Sequence, residues 1–502
     1  MEYLIRFAQV HESFRQPEIE ALSRLAGTEC EIISYSADSP FCVIRFPGLA
    51  SRIKQLERID ATIRAFEARS VLSKSIYELW GQGQTYDELH ENVRKQSGHL
   101  WDRFRQSSFK FSVDSYGSTR GVSKQRELIN SFSFLGFQGK ISMRNPEVEF
   151  AVMEEWLDAL AASRPTAAMD SATADSFDSV AGTRLTRVFL GRKLGESSRH
   201  LKERHDLKKR PYISTTSMDA ELALITASLA LAAPGKLFLD PFVGTGGFMI
   251  AAAELGAMSF GSDIDGRSYK GKGTGIESGV GANFKKYSLH HLFGDCLTSD
   301  LTNTPFRNIA GSHQLNDRRW LDGIVCDPPY GVREGLKVLG TRKAIVLHAL
   351  RDGESVDSTQ ESTTPVHLIG GVPGYTLPGY VAPKRPYSFT RMLDDILDFA
   401  ARTLVDGGRI AFWMPSANEN ELGEEIPTVI PRHSLLELKH ECIQRFNKWS
   451  RRLLVYERLH RPFALGNSDG RIIETGRTAD ELNPFRKRYF QPVVDKNAGS
   501  LA

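Results

Sequence analysis

Residues 236–252 read KLFLDPFVGTGGFMIAA. An apolar run ends at Asp240, a turn containing Gly244, Gly246 and Gly247 follows, and FMIAAAELGA continues with helical character. Strand, glycine turn and helix in this order open a doubly wound α/β sheet, since glycine lets the backbone turn sharply and approach a ligand closely. The spacing excludes two common readings. A phosphate-binding loop would end in Gly-Lys-Ser/Thr, and a dinucleotide GxGxxG would need glycine where Met249 stands. An acid at the strand end followed by GxG suits a ligand with a cationic amino group, with which the Asp240 carboxylate can pair.

Working outward, Met258–Asp263, Leu321–Asp327, Arg409–Met414 and Arg452–Leu459 are strand-like, with helical patterns between several of them. That rhythm predicts a mainly parallel sheet covered on both faces, with its ligand at the carboxyl ends of the strands where the winding reverses. Asp263 follows Asp240 by 23 residues, the distance at which an acid receives ribose hydroxyls. Asp265 reads equally well as a helix N-cap. Asp295, in Gly294–Cys296, is expected at a third strand end, where it would accept from an adenine amino group.

The sharpest motif is DPPYG, Asp327–Gly331, directly after the apolar LDGIVC. Two prolines cannot continue a ladder, so they stiffen the turn. An exocyclic amino nitrogen of a base is a poor nucleophile because its lone pair is delocalised into the ring. Asp327 can accept one N–H and the Pro328 carbonyl another, turning the lone pair outward, while Tyr330 can stack on the base.

The bulk properties set limits. The chain has 502 residues, 41% hydrophobic and 25% charged, with a net charge of +3, so several soluble domains are expected. The longest apolar run, Leu222–Ala233, is too short to cross a bilayer, and the first residues carry no secretory pattern. Five scattered cysteines without a CxxC pair predict neither a zinc framework nor disulfides, and favour a reducing compartment, the cytoplasm or nucleus. Arg184–Arg210 holds ten Lys/Arg against three acids, which reads as a phosphate-facing stripe or as a solvated linker. Residues 163–182, rich in Ala, Ser, Thr and Asp, read as a linker, and 341–388 as a long loop at the mouth of the site.

The N-terminal third reads as mixed α and β. Strands are expected at Met1–Val10, Cys42–Phe46 and Phe109–Tyr116, with helices at Pro17–Ala26, over residues 49–77 and around Lys124–Phe134.

Taken together, Lys208–Ile225, Asp240–Ala252, Gly261–Arg267, Asp327–Gly335 and Pro383–Phe389 resemble the catalytic subunit of eukaryotic tRNA guanosine-10 N2-methyltransferases. Phe109–Gly117 and Lys124–Lys140 are similar to that family's N-terminal region. The resemblance implies a C-terminal Rossmann-like class I methyltransferase domain behind an α+β ferredoxin-like and THUMP region. It implies S-adenosylmethionine as methyl donor, tRNA as substrate and a small zinc-binding methyltransferase activator protein as partner. It places Asp327, Pro328 and Tyr330 at the chemistry, with Asp240, Gly244, Gly246, Asp263, Asp295, Thr216 and Ser217 around the cofactor.

The expected domains are a ferredoxin-like 1–75, a THUMP domain 76–162, a linker with the basic stretch 163–207, a methyltransferase domain 208–462 and a tail 463–502. Rival readings are an adenine-N6 methyltransferase of DNA or RNA, because the same Asp-Pro-Pro-Tyr serves that amino group, and a non-catalytic RNA-binding scaffold.

Overall fold

The computed structural model describes residues 1–50, 56–158, 179–180, 183–271, 278–306, 319–332, 335–339, 368–378, 380–417, 430–446 and 449–460. The chain divides into two compact units, Met1–Leu201 and Lys202–Ala502.

In the first unit the strands are β1 (Glu2–Phe7), β2 (Glu31–Tyr35), β3 (Phe41–Arg45), β4 (Ser73–Gly83), β5 (Phe109–Tyr116), β6 (Val148–Asp158), β7 (Ser179–Val180) and β8 (Thr183–Glu196). They form one sheet in the order β2-β3-β1-β4-β8-β6-β5, with β7 on β8. Only β5 and β6 among these neighbours pair in parallel. The helix Tyr86–Ser97 starts where the Thr85 side chain accepts the Glu88 N–H, and the Glu88 carboxylate accepts the Gln84 N–H in return. Trp80, Phe104, Phe150 and Trp156 lie in the core that this helix covers.

Four expectations change here. Residues 73–77 are not helical: they open β4, because pairing with β1 on one side and β8 on the other outweighs local propensity. The expected boundary at 75–76 therefore falls inside a strand, and one sheet runs through both expected N-terminal domains. Nor is 183–196 linker. As β8 it sits between β4 and β6, with Leu185, Val188 and Leu190 buried. The phosphate-facing stripe fails at Arg187, Arg192 and Arg210. Arg187 pairs with Glu155, Arg192 is 4% exposed and pairs with Glu78 and Asp60, and Arg210 is buried. The expected linker 163–182, apart from Ser179–Val180, the acid-rich 352–365 and the tail from 463 lie outside the described residues.

The second unit carries β9 (Leu237–Asp240), β10 (Met258–Asp263), β11 (Phe293–Thr298), β12 (Leu321–Cys326), β13 (Lys337–Leu339), β14 (Leu368–Ile369), β15 (Val372–Pro373), β16 (Lys384–Pro386), β17 (Leu404–Ala417), β18 (Leu436–Arg445) and β19 (Trp449–Arg458). Seven of these form a sheet ordered β11-β10-β9-β12-β17-β19-β18. The first five strands are parallel, and β19 runs antiparallel between β17 and β18. The winding reverses between β9 and β12, which are hydrogen-bonded neighbours, so Asp240 and Asp327 end adjacent strands.

Both faces of the sheet are covered, as side-chain alternation along β17 requires. Ile410, Phe412 and Met414 share a core with Met392, Leu393, Ile396 and Leu397 of the helix Phe389–Thr403. From the other face Trp413 donates to the Thr226 hydroxyl at 3.1 Å, reaching the wholly buried helix Ala220–Leu229. Each such fully buried apolar side chain contributes roughly 1.5–3 kcal/mol. Within the stretch read as a long loop, β14 and β15 pair, and β16 returns to pair antiparallel with β13.

Candidate active site

A cleft of about 930 Å³ opens over the carboxyl ends of the second unit's parallel strands, at the reversal of winding. Its wall is built from the glycine turn. Gly244 adopts φ +47° and Gly246 φ +78°, a region that L side chains rarely enter. A Cβ on Gly246 would lie 2.6 Å from Val280 Cγ1, which is why this glycine, though outside the lining, is needed for the turn to close. Gly244 does line the cleft, and a Cβ there would meet only the Phe242 carbonyl at 3.9 Å, so the space before it stays open for a ligand.

Asp240 is 2% exposed, and its Oδ1 accepts the Phe242 N–H at 3.0 Å. Burial pushes its carboxyl well above the ordinary carboxylate range; the Phe242 N–H offsets part of this, and the charges of Asp263 and Asp327 raise it further. Asp263 accepts the Gly244 N–H at 3.1 Å and the Asp265 N–H at 2.9 Å, which fixes the end of β10 against the turn. Asp265 turns to Arg267, which holds it below the usual carboxylate range. Thr216 and Ser217 also line the cleft, and Ser217 Oγ lies 2.8 Å from Thr245 Oγ1 of the glycine turn.

Asp327, Pro328 and Tyr330 also line the cleft. The Tyr330 hydroxyl donates to Asp327 Oδ1, and Arg451 Nη1 lies 4.0 Å from Asp327 Oδ2. Burial, then the charge of Asp327, holds the Tyr330 phenol well above its ordinary range, while Arg451 opposes this. The tyrosine expected to stack on a base thus also steadies the carboxylate beside it. Its ring meets Trp449 edge-on, with centroids 6.3 Å apart.

The expected role of Asp295 is corrected. Its side chain is exposed, its Oδ1 accepts the following Cys296 N–H at 2.7 Å, and it does not line the cleft. The reason is strand length: β11 pairs with β10 as far as Asp263↔Thr298, so its carboxyl end lies three residues further on. Ser299, Asp300 and Leu301 take the position at the cleft. Asp300 is buried, and its Oδ2 accepts the Leu339 N–H at 2.7 Å, tying β13 to this rim.

Sequence reasoning also missed Phe446, Trp449 and Arg451, which reach the cleft from the β18–β19 hairpin, and Lys337 and Lys384 from the β13–β16 pair. No motif marks Lys337, Phe446, Trp449 or Arg451, and Lys384 falls within Pro383–Phe389 without being singled out there. Only the pairing Pro415↔Arg451 shows that this part of β19 lies beside the end of β17, next to β12.

The donor set fits S-adenosylmethionine. Three carboxylates whose like charges reinforce one another favour a ligand carrying an ammonium and a sulfonium, and the open face of Gly244 admits close approach. Asp240, Asp263, Thr216 and Ser217 line the cleft and could hold it. With this sheet order and an Asp-Pro-Pro-Tyr turn abutting that donor set, the second unit is a class I S-adenosylmethionine-dependent methyltransferase.

Comparison with known proteins narrows the class. Residues 1–169 match the family described as Tmrp11 THUMP N-terminal domain, and 208–286 match the RMKL-like methyltransferase domain. The tRNA (guanine(10)-N(2))-methyltransferase of Saccharomyces cerevisiae is 39% identical over 494 residues, covering 97% of this chain and 99% of that protein. The protein of the same name from Schizosaccharomyces pombe is 33% identical over 528 residues, covering 99% and 98%. That of Homo sapiens is 29% identical over 510 residues, covering 99% and 96%. The chain belongs to the tRNA (guanine(10)-N(2))-methyltransferase family.

Proposed function

We propose that this chain is the catalytic subunit that methylates the exocyclic N2 of guanosine 10 in tRNA. The observation that carries the reading is the juxtaposition of Asp327 with Asp240 at the ends of adjacent strands, in one cleft with Gly244 and Asp263. Bound S-adenosylmethionine supplies a methyl activated by its sulfonium. Asp240 would hold its cationic amino group, Asp263 its ribose hydroxyls, and Thr216 and Ser217 its methionine end.

The Asp327 carboxylate accepts one N–H of the substrate amino group and the Pro328 carbonyl the other, so that the nitrogen lone pair points into the cleft. Asp327 can also accept the proton that the nitrogen sheds. Tyr330 holds the carboxylate and offers its ring to the base. Alignment of this kind is worth roughly 7–11 kcal/mol of barrier, which suits a reaction whose methyl arrives already activated. The target guanine must leave its stack to reach a cleft this deep.

The first unit is assigned to holding tRNA by shape and phosphate contacts, and of its share of the basic stretch Arg184 is exposed. A small zinc-binding activator protein is the expected partner and the cytoplasm the expected compartment. Among the described residues, no helix is long and apolar enough to cross a membrane.

The test is transfer of labelled methyl from S-adenosylmethionine to unmodified tRNA transcripts, with and without the activator, followed by nucleoside analysis. Label in N2-methylguanosine is the expected result. Label in N6-methyladenosine, or in duplex DNA instead of tRNA, would move the substrate assignment. Failure to bind the cofactor at all would leave an RNA-binding scaffold.

A further inference from the structure

We propose that Arg451 is a positioning residue for the transfer step: it steadies the orientation of the Asp327 carboxylate in the cleft. The inference rests on the function proposed above.

The geometry on which it stands is local to the second unit. Arg451 lies in β19 and pairs with Pro415 of β17 and Gln444 of β18, so both neighbouring strands fix its backbone. Its guanidinium lies over the Trp413 ring at 4.6 Å and the Phe446 ring at 5.6 Å, and its Nε donates to Gln444 Oε1 at 2.6 Å. Trp413 is itself fully buried, and Phe446 stacks on Trp449 with centroids 4.6 Å apart. The arginine is thereby held on three sides, with a side-chain exposure of 15%. The remaining direction is the cleft, where Nη1 stands 4.0 Å from Asp327 Oδ2.

Asp327 has an electrostatic problem that this placement answers. Tyr330 donates to Oδ1, and the acids Asp240 and Asp263 face the same cleft from β9 and β10. As an acceptor for a substrate N–H, Asp327 must keep one oxygen aimed at the base. The two other acids of the cleft repel its carboxylate, and the Arg451 guanidinium attracts it. At 4.0 Å the guanidinium acts on Asp327 through its charge, and it also faces Tyr330, whose hydroxyl donates to the other carboxylate oxygen. Arg451 need not touch the substrate; it acts through Asp327.

The experiment compares Arg451→Met and Arg451→Lys with the wild-type full chain in complex with its activator. It measures kcat and KM for tRNA, S-adenosylhomocysteine affinity by calorimetry, and melting temperature. For Arg451→Met we expect kcat about 100-fold lower, as for a misaligned reacting group, with KM and S-adenosylhomocysteine affinity changed less than about threefold. Arg451→Lys, which keeps the charge but not the fork, should recover about tenfold of the loss.

A rise in KM at unchanged kcat would overturn the proposal and make Arg451 an RNA contact. Parallel loss of cofactor affinity and melting temperature in both variants would also overturn it, leaving a packing role. If the wild-type complex itself forms no N2-methylguanosine, the functional reading fails and this inference falls with it. If the wild type does and Arg451→Met is unimpaired, only the inference fails.

Discussion

The two units treat buried charge differently. In the first, the buried side chains of Arg192 and Arg120 meet opposite partners, while the buried Glu18 and Glu67 are held by hydroxyl and backbone N–H donors. Arg192 donates to Glu78 at 2.7 Å and to Asp60 at 3.0 and 3.1 Å, and Arg120, 3% exposed in its side chain, pairs with Glu154, which also accepts from Ser115 and Trp156. In the second, the strand ends bring Asp240, Asp263 and Asp327 around one cleft, where their mutual repulsion adds to the burial that pushes Asp240 upward. A paired network is what a fold needs in order to tolerate its own charges. A cluster of one sign at a strand-end cleft is what a site keeps for a ligand of the other sign.

Removing one member from each region should separate the two roles. Asp327→Ala is expected to lower methyl transfer at least about 1000-fold while leaving S-adenosylhomocysteine affinity nearly intact, as read by single-turnover kinetics and calorimetry. If affinity is lost instead, Asp327 shapes the cofactor site. Arg192→Met should do the reverse. Stranding Glu78 and Asp60 without their cation is expected to cost about 3–5 kcal/mol in urea unfolding of the first unit, without changing cofactor affinity. Asp240→Asn should weaken S-adenosylmethionine about 30-fold or more, because the ligand's ammonium loses its charged partner, and should raise the protein's own melting temperature by relieving the carboxylate repulsion.

The sign of the pH effect follows from Asp240. Its pKa is raised in the folded chain, so the stability its neutral form contributes is present at low pH and is lost as pH rises through that pKa. A cationic ligand demands the ionised form. Binding should therefore release a proton and tighten with rising pH until Asp240 is ionised unaided. Calorimetry in two buffers of different ionisation enthalpy measures the proton directly, and proton uptake would be the wrong sign. The smallest effect is expected at Asp295: Asp295→Asn should change cofactor affinity less than about twofold, as an exposed residue outside the cleft should.

What was legible in the sequence divides along the same line. Asp240, Asp263 and Asp327 could be read because each ends an apolar run, and a parallel strand buried on both faces reports its own carboxyl end. Asp295 could not be placed that way. FGDCLT is polar enough that nothing local shows the pairing with β10 continuing to Thr298. The basic stretch misled for a related reason. A count of charges over 184–210 ignores that alternate residues of β8 face opposite ways and that Glu78 and Glu155 wait on neighbouring strands and Asp60 on the helix Leu56–Glu67. Arg451 was invisible because it lies 124 residues beyond Asp327 on an antiparallel strand, and only the register of β17 with β19 brings the two together.

The central claim is that the cleft acts on an exocyclic amino group of a base. The direct test is a tRNA transcript with inosine at position 10, which differs from guanosine only in lacking that amine. The account predicts competitive binding comparable to that of the guanosine transcript and no methyl transfer. Transfer to the inosine transcript at an undiminished rate would contradict it, since the acceptor nitrogen would then lie elsewhere.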